Sequence, residues 1–137
     1  IYNNSLSPGW GNWSWDTGVT TSQELGVQFT SPWAGMYLHS TPFSTQGRST
    51  LSFSVHGGET GGQELRIIMY DKLGNAFGAR SLDQYLPNNA VPARMWTEIS
   101  IPLSQVNALD KEISGFVFQG TDGNIQPPFL LDNLKIE

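Results

Sequence analysis

The chain has no cysteine in its 137 residues. That excludes a disulfide framework, a thiolate metal site and a thiol nucleophile, while leaving the compartment open. Charge is scarce as well: 14% of residues are charged, 7 basic against 12 acidic. A balance of −5, with the acids scattered, argues against nucleic acid or an anionic membrane as a partner. No run approaches the ~18 apolar residues of a membrane-spanning helix. Helical periodicity is nearly absent, and its best candidate, 104–111, is long enough only for a turn of helix. A Gly-x-Ser-x-Gly elbow and a His-Glu-x-x-His pattern are missing too. The chain begins at Ile1 rather than Met, as expected of a processed or excised piece. Its length suits a single domain, 1–137, with a core that needs no staples.

Aromatic residues are what the chain has instead, at 12% of the sequence, nearly matching the charged residues. That composition favours a neutral, hydroxyl-rich partner over a charged one. Three of the five tryptophans, Trp10, Trp13 and Trp15, fall in the stretch Gly9-Trp10-Gly11-Asn12-Trp13-Ser14-Trp15. In an extended strand, Trp13 and Trp15 point to one face and Ser14 to the other. Each indole carries a large apolar area and one N–H donor. Such a segment needs a deep core or a flat apolar ligand, and a sugar ring, with C–H groups on one face, is such a ligand. Two of the rings in the core and one closing the end of a sandwich is the structural alternative.

Short alternating runs separated by Gly, Pro, Asn and Asp are the pattern of antiparallel strands. Ile1–Leu6 reads as an edge strand. In 26–30, Val27 and Phe29 share a face; in 36–39, Met36 and Leu38 face in while Tyr37 and His39 face out. Thr50–His56 is the clearest strand, with Leu51, Phe53 and Val55 inward. In 63–70, Leu65, Ile67 and Met69 point inward and Glu64, Arg66, Ile68 and Tyr70 outward. Asp71–Asn75 is a turn, and 76–95 reads as loop with one weak strand. Trp96–Leu103 is a strand with Thr97, Ile99 and Ile101 inward, near an edge or an end because of Pro102. Ser114–Gln119 places Phe116 and Phe118 inward, Val117 and Gln119 outward. Phe129–Ile136 closes the fold. The expected fold class is all-β, a two-sheet antiparallel β-sandwich.

Outward parity selects the candidate binding residues: Tyr37, His39, Arg66, Tyr70 and Gln119, with Trp13, Trp15 and Trp33 as walls. Ring faces would stack on pyranose rings, and Arg66, Gln119 and His39 would bond hydroxyls. Trp33 and Trp96 have a structural alternative as plugs of the sandwich end, favoured for Trp96. His39 and His56 have no metal spacing and read as surface residues. The loop from Gly57 to Gly62, with four glycines, lacks the helix and lysine of a phosphate site.

Asp132 has the parity of Leu130, Leu134 and Ile136, so it is expected on the apolar face. An unpaired carboxylate there is costly and calls for a cation, an arginine or a cluster of N–H groups. Calcium, with its six to eight oxygen ligands, meets that need. Asn3 and Asn4, on the N-terminal strand, could supply an oxygen if that strand lies near the last one, and the turn around Ser22 and Gln23 could supply carbonyls. Asp132 as a cap of a turn is the alternative.

Several stretches together resemble jelly-roll carbohydrate-binding modules of the kind appended to secreted glycoside hydrolases. They are Leu6-Ser7-Pro8-Gly9-Trp10 with Asn12-Trp13-Ser14-Trp15, Trp33-Ala34-Gly35-Met36-Tyr37-Leu38-His39, and Val55-His56-Gly57-Gly58 with Gly61-Gly62-Gln63. Trp96-Thr97-Glu98-Ile99-Ser100-Ile101-Pro102-Leu103 and Phe129-Leu130-Leu131-Asp132-Asn133-Leu134 complete the set. The resemblance implies a jelly roll without catalysis and a neutral plant cell-wall polysaccharide (β-glucan, cellulose or hemicellulose) as ligand. It also implies a structural calcium held partly by Asp132, a secreted setting, fusion to a catalytic domain and a monomeric state. Asn3 and Asn4 stand where such modules commonly have Asp, and Phe118 where a tryptophan is expected.

Two other classes remain in view. A hydrolase needs two carboxylates about 5–10 Å apart, and Glu64 and Glu98 have outward parity; a lyase could use His39, Tyr37 and Arg66. An adhesion module binding protein would use the same aromatic patch.

Overall fold

The structure is a computed structural model that describes all residues, Ile1–Glu137. Ten strands form two five-stranded sheets, and every pairing is antiparallel. In chain order the strands are β1 (Trp10–Asn12), β2 (Thr17–Thr21), β3 (Leu25–Phe29), β4 (Gly35–Ser44) and β5 (Thr50–His56). They continue with β6 (Leu65–Asp71), β7 (Ala76–Ser81), β8 (Trp96–Pro102), β9 (Glu112–Gly120) and β10 (Phe129–Ile136). The first sheet has the order β1-β4-β9-β6-β7 and the second β2-β3-β10-β5-β8. Helical structure is limited to short 3-10 turns, one of them at Leu103–Val106, overlapping the start of the stretch with weak helical periodicity.

The alternation read from the sequence builds the core. Leu25, Val27 and Phe29 of β3, Leu51, Phe53 and Val55 of β5, and Leu65, Ile67 and Met69 of β6 are all buried. They meet Phe116 and Phe118 of β9, and Phe53 of one sheet contacts Phe118 of the other edge-to-face at 5.1 Å. Each such side chain withdrawn from water contributes roughly 1.5–3 kcal/mol. Phe118 is therefore a core residue, and its replacing a tryptophan removes no surface platform.

Four expectations are corrected. The segment Ile1–Leu6 is not a strand: Asn4, with φ of 63°, turns the chain back so that Tyr2 bridges both Leu6 and Leu134. The Tyr2 ring is buried and its hydroxyl donates to the Ser22 carbonyl at 2.8 Å. Asp132 is not on the apolar face. One extra residue is accommodated in β10 between Asp132, which pairs with Ser54, and Lys135, which pairs with Ser52. Asn133 takes φ of 52° within this bulge, and the parity inverts. Phe129 and Leu131 point inward before the bulge, Leu134 and Ile136 after it. Asp132 is half-buried on the outer face, where Oδ1 accepts the Asn133 N–H at 2.8 Å.

Trp96 is the third correction. It is 43% exposed and touches His56 edge-on on the outer face of the second sheet, so it plugs nothing. Lastly, Val117 and Gln119 have outward parity but are buried. β9 is the central strand of its sheet, and the side chains of β4 and β6 close over it.

Candidate functional site

The strand registers place the outward residues of the first sheet in three rows. Gly35, Gln119, Arg66 and Ser81 form one; Tyr37, Val117, Ile68 and Ala79 the next; His39, Gly115 and Tyr70 the third. Rows lie about 6.8 Å apart along the strands, and five strands span about 19 Å. The chain after β1 runs beside β4, with the Trp13 N–H bonded to the Tyr37 carbonyl and the Trp15 N–H to that of Gly35. All eight candidates, Trp13, Trp15, Trp33, Tyr37, His39, Arg66, Tyr70 and Gln119, thus converge on the outer face of one sheet.

Two absent side chains shape this face. A Cβ at Gly35 would lie 2.3 Å from the Trp15 ring, so the indole lies flat across the strand. A Cβ at Gly115 would lie 2.3 Å from the Leu38 carbonyl oxygen and 3.0 Å from the Tyr37 ring. With nothing between them, Tyr37 of β4 and Tyr70 of β6 meet across β9, their rings stacked at 5.0 Å and 29°. Sequence reasoning did not single out these glycines. A glycine in a strand interior, flanked by aromatic positions on neighbouring strands, is the signal that could have found them.

The indoles are fixed from behind. Trp13 is 59% exposed and stacks on His39 at 3.5 Å and 11°. Of the three clustered tryptophans only Trp10 joins the core, tilted against Phe43 and Phe116. Trp33, 49% exposed, holds φ of 61°, a conformation that costs an L-residue roughly 1–2 kcal/mol. Two donors converge on its carbonyl: Trp15 Nε1 at 3.0 Å and Gln119 Nε2 at 2.8 Å. The other end of the Gln119 amide accepts from Arg66 Nε and Nη2 at 3.2 and 2.6 Å. The guanidinium sits 5.6 Å from the Trp33 ring centre, within cation–π range. One amide therefore orients a cation and a tryptophan together. The loop 121–126 backs the other side of Trp33: a Cβ at Gly123 would lie 2.8 Å from its ring.

Burial pushes the Tyr37 phenol above its ordinary value, and Tyr70 adds to the shift, against the Ser114 hydroxyl, which favours the ionised form. Arg66 is the one lysine or arginine among the eight, and no carboxylate is among them. Glu64 and Glu98 do not form a pair: Glu64 leads into β6 of the first sheet and Glu98 lies in β8 of the second. The recess of about 680 Å³ lined by Ile1, Tyr2, Ser52, Glu98 and Lys135 includes none of the eight residues.

No protein-family model matches the chain, and no curated protein matches it. Solved structures do match, and the class they define is the β-sandwich carbohydrate-binding module, whose fold this chain has. A mutant of the family 29 module CBM29-2, complexed with cellulohexaose, is similar at a TM-score of 0.70 and 16% identity, over 98% of this chain and 85% of that one. The family 29 module CBM29_1 from Piromyces equi gives 0.62 and 15%, over 96% and 82%. The family 11 module of a cellulosomal cellulase of Clostridium thermocellum gives 0.59 and 15%, over 99% and 91%. At these identities the likeness is one of fold.

Proposed function

We propose that the chain is a non-catalytic carbohydrate-binding module that holds a neutral polysaccharide against the outer face of its first sheet. The plant cell-wall chains (β-glucan, cellulose or hemicellulose) are the substrate class. The observation that carries this reading is the convergence of Trp13, Trp15, Trp33, Tyr37 and Tyr70 on one face with polar groups between them. Ring faces take the C–H faces of pyranoses, and Arg66 and the His39 imidazole bond their hydroxyls. Binding energy on such a surface comes from a few large aromatic anchors. The shared fold adds weight, since modules complexed with cellulohexaose and mannohexaose have it. The separation of Glu64 from Glu98 speaks against the hydrolase alternative.

The test is incubation with insoluble cellulose, xylan, mannan and β-glucan, followed by assay of depletion and of reducing-sugar release. Depletion without product is the expected result. Product would make the chain an enzyme, and neither would leave adhesion to protein.

A structural calcium near Asp132 is a subsidiary part of the proposal. Burial raises the Tyr2 phenol, its hydrogen bond to the Ser22 carbonyl opposes that, and the charges of Asp132 and Glu24 add to the rise. These oxygens fit calcium in kind but not in number, since it takes six to eight; there is no grouping of three or more His, Cys, Asp or Glu. Asn4 is exposed and makes no side-chain hydrogen bond that would draw it there. Asp132→Ala is expected to lower the melting temperature in calcium and to leave it unchanged in EDTA. An equal loss in both would assign Asp132 to its Asn133 bond alone.

A further inference from the structure

The outer face of the second sheet carries one row with a residue from every strand: Thr20, Gly26, Leu130, His56 and Trp96. A recess of about 390 Å³ follows this row from Thr20 to His56, floored by Gly26 and Leu130 and walled by the diglycine loop at Gly58 and Glu59; Trp96 stands just beyond its lining, beside His56. Its volume is in the range of small-ligand sites, about 300–1,000 Å³. The wall is held in place. Gln63 Nε2, fully buried, donates to the carbonyls of Gly57, Pro127 and Pro128 at 2.9, 3.2 and 2.9 Å, and the Arg94 N–H bonds the Gly58 carbonyl at 2.8 Å. A site fixed in this way costs little ordering on binding.

Its chemistry is that of a sugar site. His56 Nδ1 accepts the Gly58 N–H at 3.0 Å, so the neutral imidazole carries its proton on Nε2 and keeps that donor free. Beside it Trp96 offers an indole 43% exposed, 5.2 Å from the imidazole centre. Glu98, Ser54 and Asp132 form the next row, about 6.8 Å away, as acceptors. The three carboxylates Glu59, Glu98 and Asp132 disfavour an anion, and Arg94, which could have offset them, is paired with Glu59 at 3.2 Å.

From this arrangement we propose a second site for a neutral saccharide, at His56 and Trp96, on the side of the module opposite the aromatic face. It rests on the carbohydrate-binding reading of the chain. With both faces filled, one copy of the module bridges two polysaccharide chains.

The test is a titration of the isotopically labelled chain with cellohexaose, mannohexaose, xylohexaose and laminarihexaose, following the Trp indole N–H and His56 resonances by NMR. The Trp96 indole and His56 are expected to shift with at least one of these sugars, and to do so still in Trp13→Ala. Trp96→Ala or His56→Ala should weaken binding at this face by about tenfold or more while the Trp13 titration is unchanged. A Trp96 indole that stays still while Trp13 saturates would overturn the second site and leave the first. A response of Trp96 alone would keep the second site and refute the first; silence at both would refute both. Shifts of Trp96 that follow protein concentration rather than sugar would reassign the patch to self-association and overturn the proposal.

Discussion

Behind Phe118, the outer face of the first sheet carries Tyr37 and Tyr70 over Gly115 and Trp15 over Gly35. Across the core, behind Phe53, the second sheet carries Ser52, Ser54 and Ser100 in the same positions of the pleat. The inner faces are built alike, from Leu, Ile, Val, Met and Phe at every second position. The difference lies wholly in what fills the outward positions. On one side large rings alternate with glycines, so the rings lie down over neighbouring strands; on the other, small hydroxyls fill the row of Ser52 and Ser100, and the one tryptophan, Trp96, stands on the edge strand. A strand interior glycine weakens a sheet, and here that weakness is what makes the aromatic surface flat.

The heaviest blow to this arrangement is expected from the residue both faces share. Phe118→Ala should cost about 3–5 kcal/mol in urea unfolding and impair both faces together; loss of one face alone would show that the sheets fold separately. Gly115→Val comes next. It should lose about 1–3 kcal/mol by overpacking and break the Tyr37–Tyr70 stack, with a drop in glycan retention. A Gly115→Val chain that binds normally would show that the stack is incidental. Trp13→Ala should weaken binding on the first face by about tenfold with stability unchanged within about 0.5 kcal/mol, because the ring is mostly in solvent. The smallest effect concerns acid. Asp122 accepts the backbone N–H and then the side-chain amide of Asn124, and also Gln126 Nε2, which hold its carboxyl below the ordinary 3.8. A carboxylate lowered on folding contributes stability above its unfolded value and loses it as pH falls through the folded value. The loop behind Trp33 should therefore stay latched down to the ordinary carboxylate range and loosen below it. Sugar affinity should fall there in the native chain, and Asp122→Asn should flatten that dependence.

The sheet architecture was legible because β3, β5, β6 and β9 keep strict alternation with no extra residue over their core stretches. The same alternation selected Tyr37, His39, Arg66, Tyr70 and Gln119 of the aromatic face, while Trp13, Trp15 and Trp33 were added as walls. Legibility failed where the backbone leaves the pleat. Asn4 and Asn133 both take positive φ, one reversing the N-terminal segment and the other inverting β10 at Asp132. Asn is the residue that visits this region most readily after glycine, so Asp132-Asn133 carried the warning, but position alone did not say which Asn would turn. Trp96 misled for a different reason: its place at the start of an edge strand says nothing of whether the indole folds in or out. The burial of Val117 was hidden because it depends on side chains of two other strands.

The two ends of the chain are neighbours. Tyr2 pairs with Leu134, and the N–H groups of Ser49 and Thr50 both bond the Glu137 carbonyl. A short peptide bridge could therefore join residue 137 to residue 1, and the chain could be reopened in the exposed turn 72–75. Such a circular permutant would retain both sheets and every ring of the aromatic face. The order in which the strands are synthesised would then be separable from the surface they build.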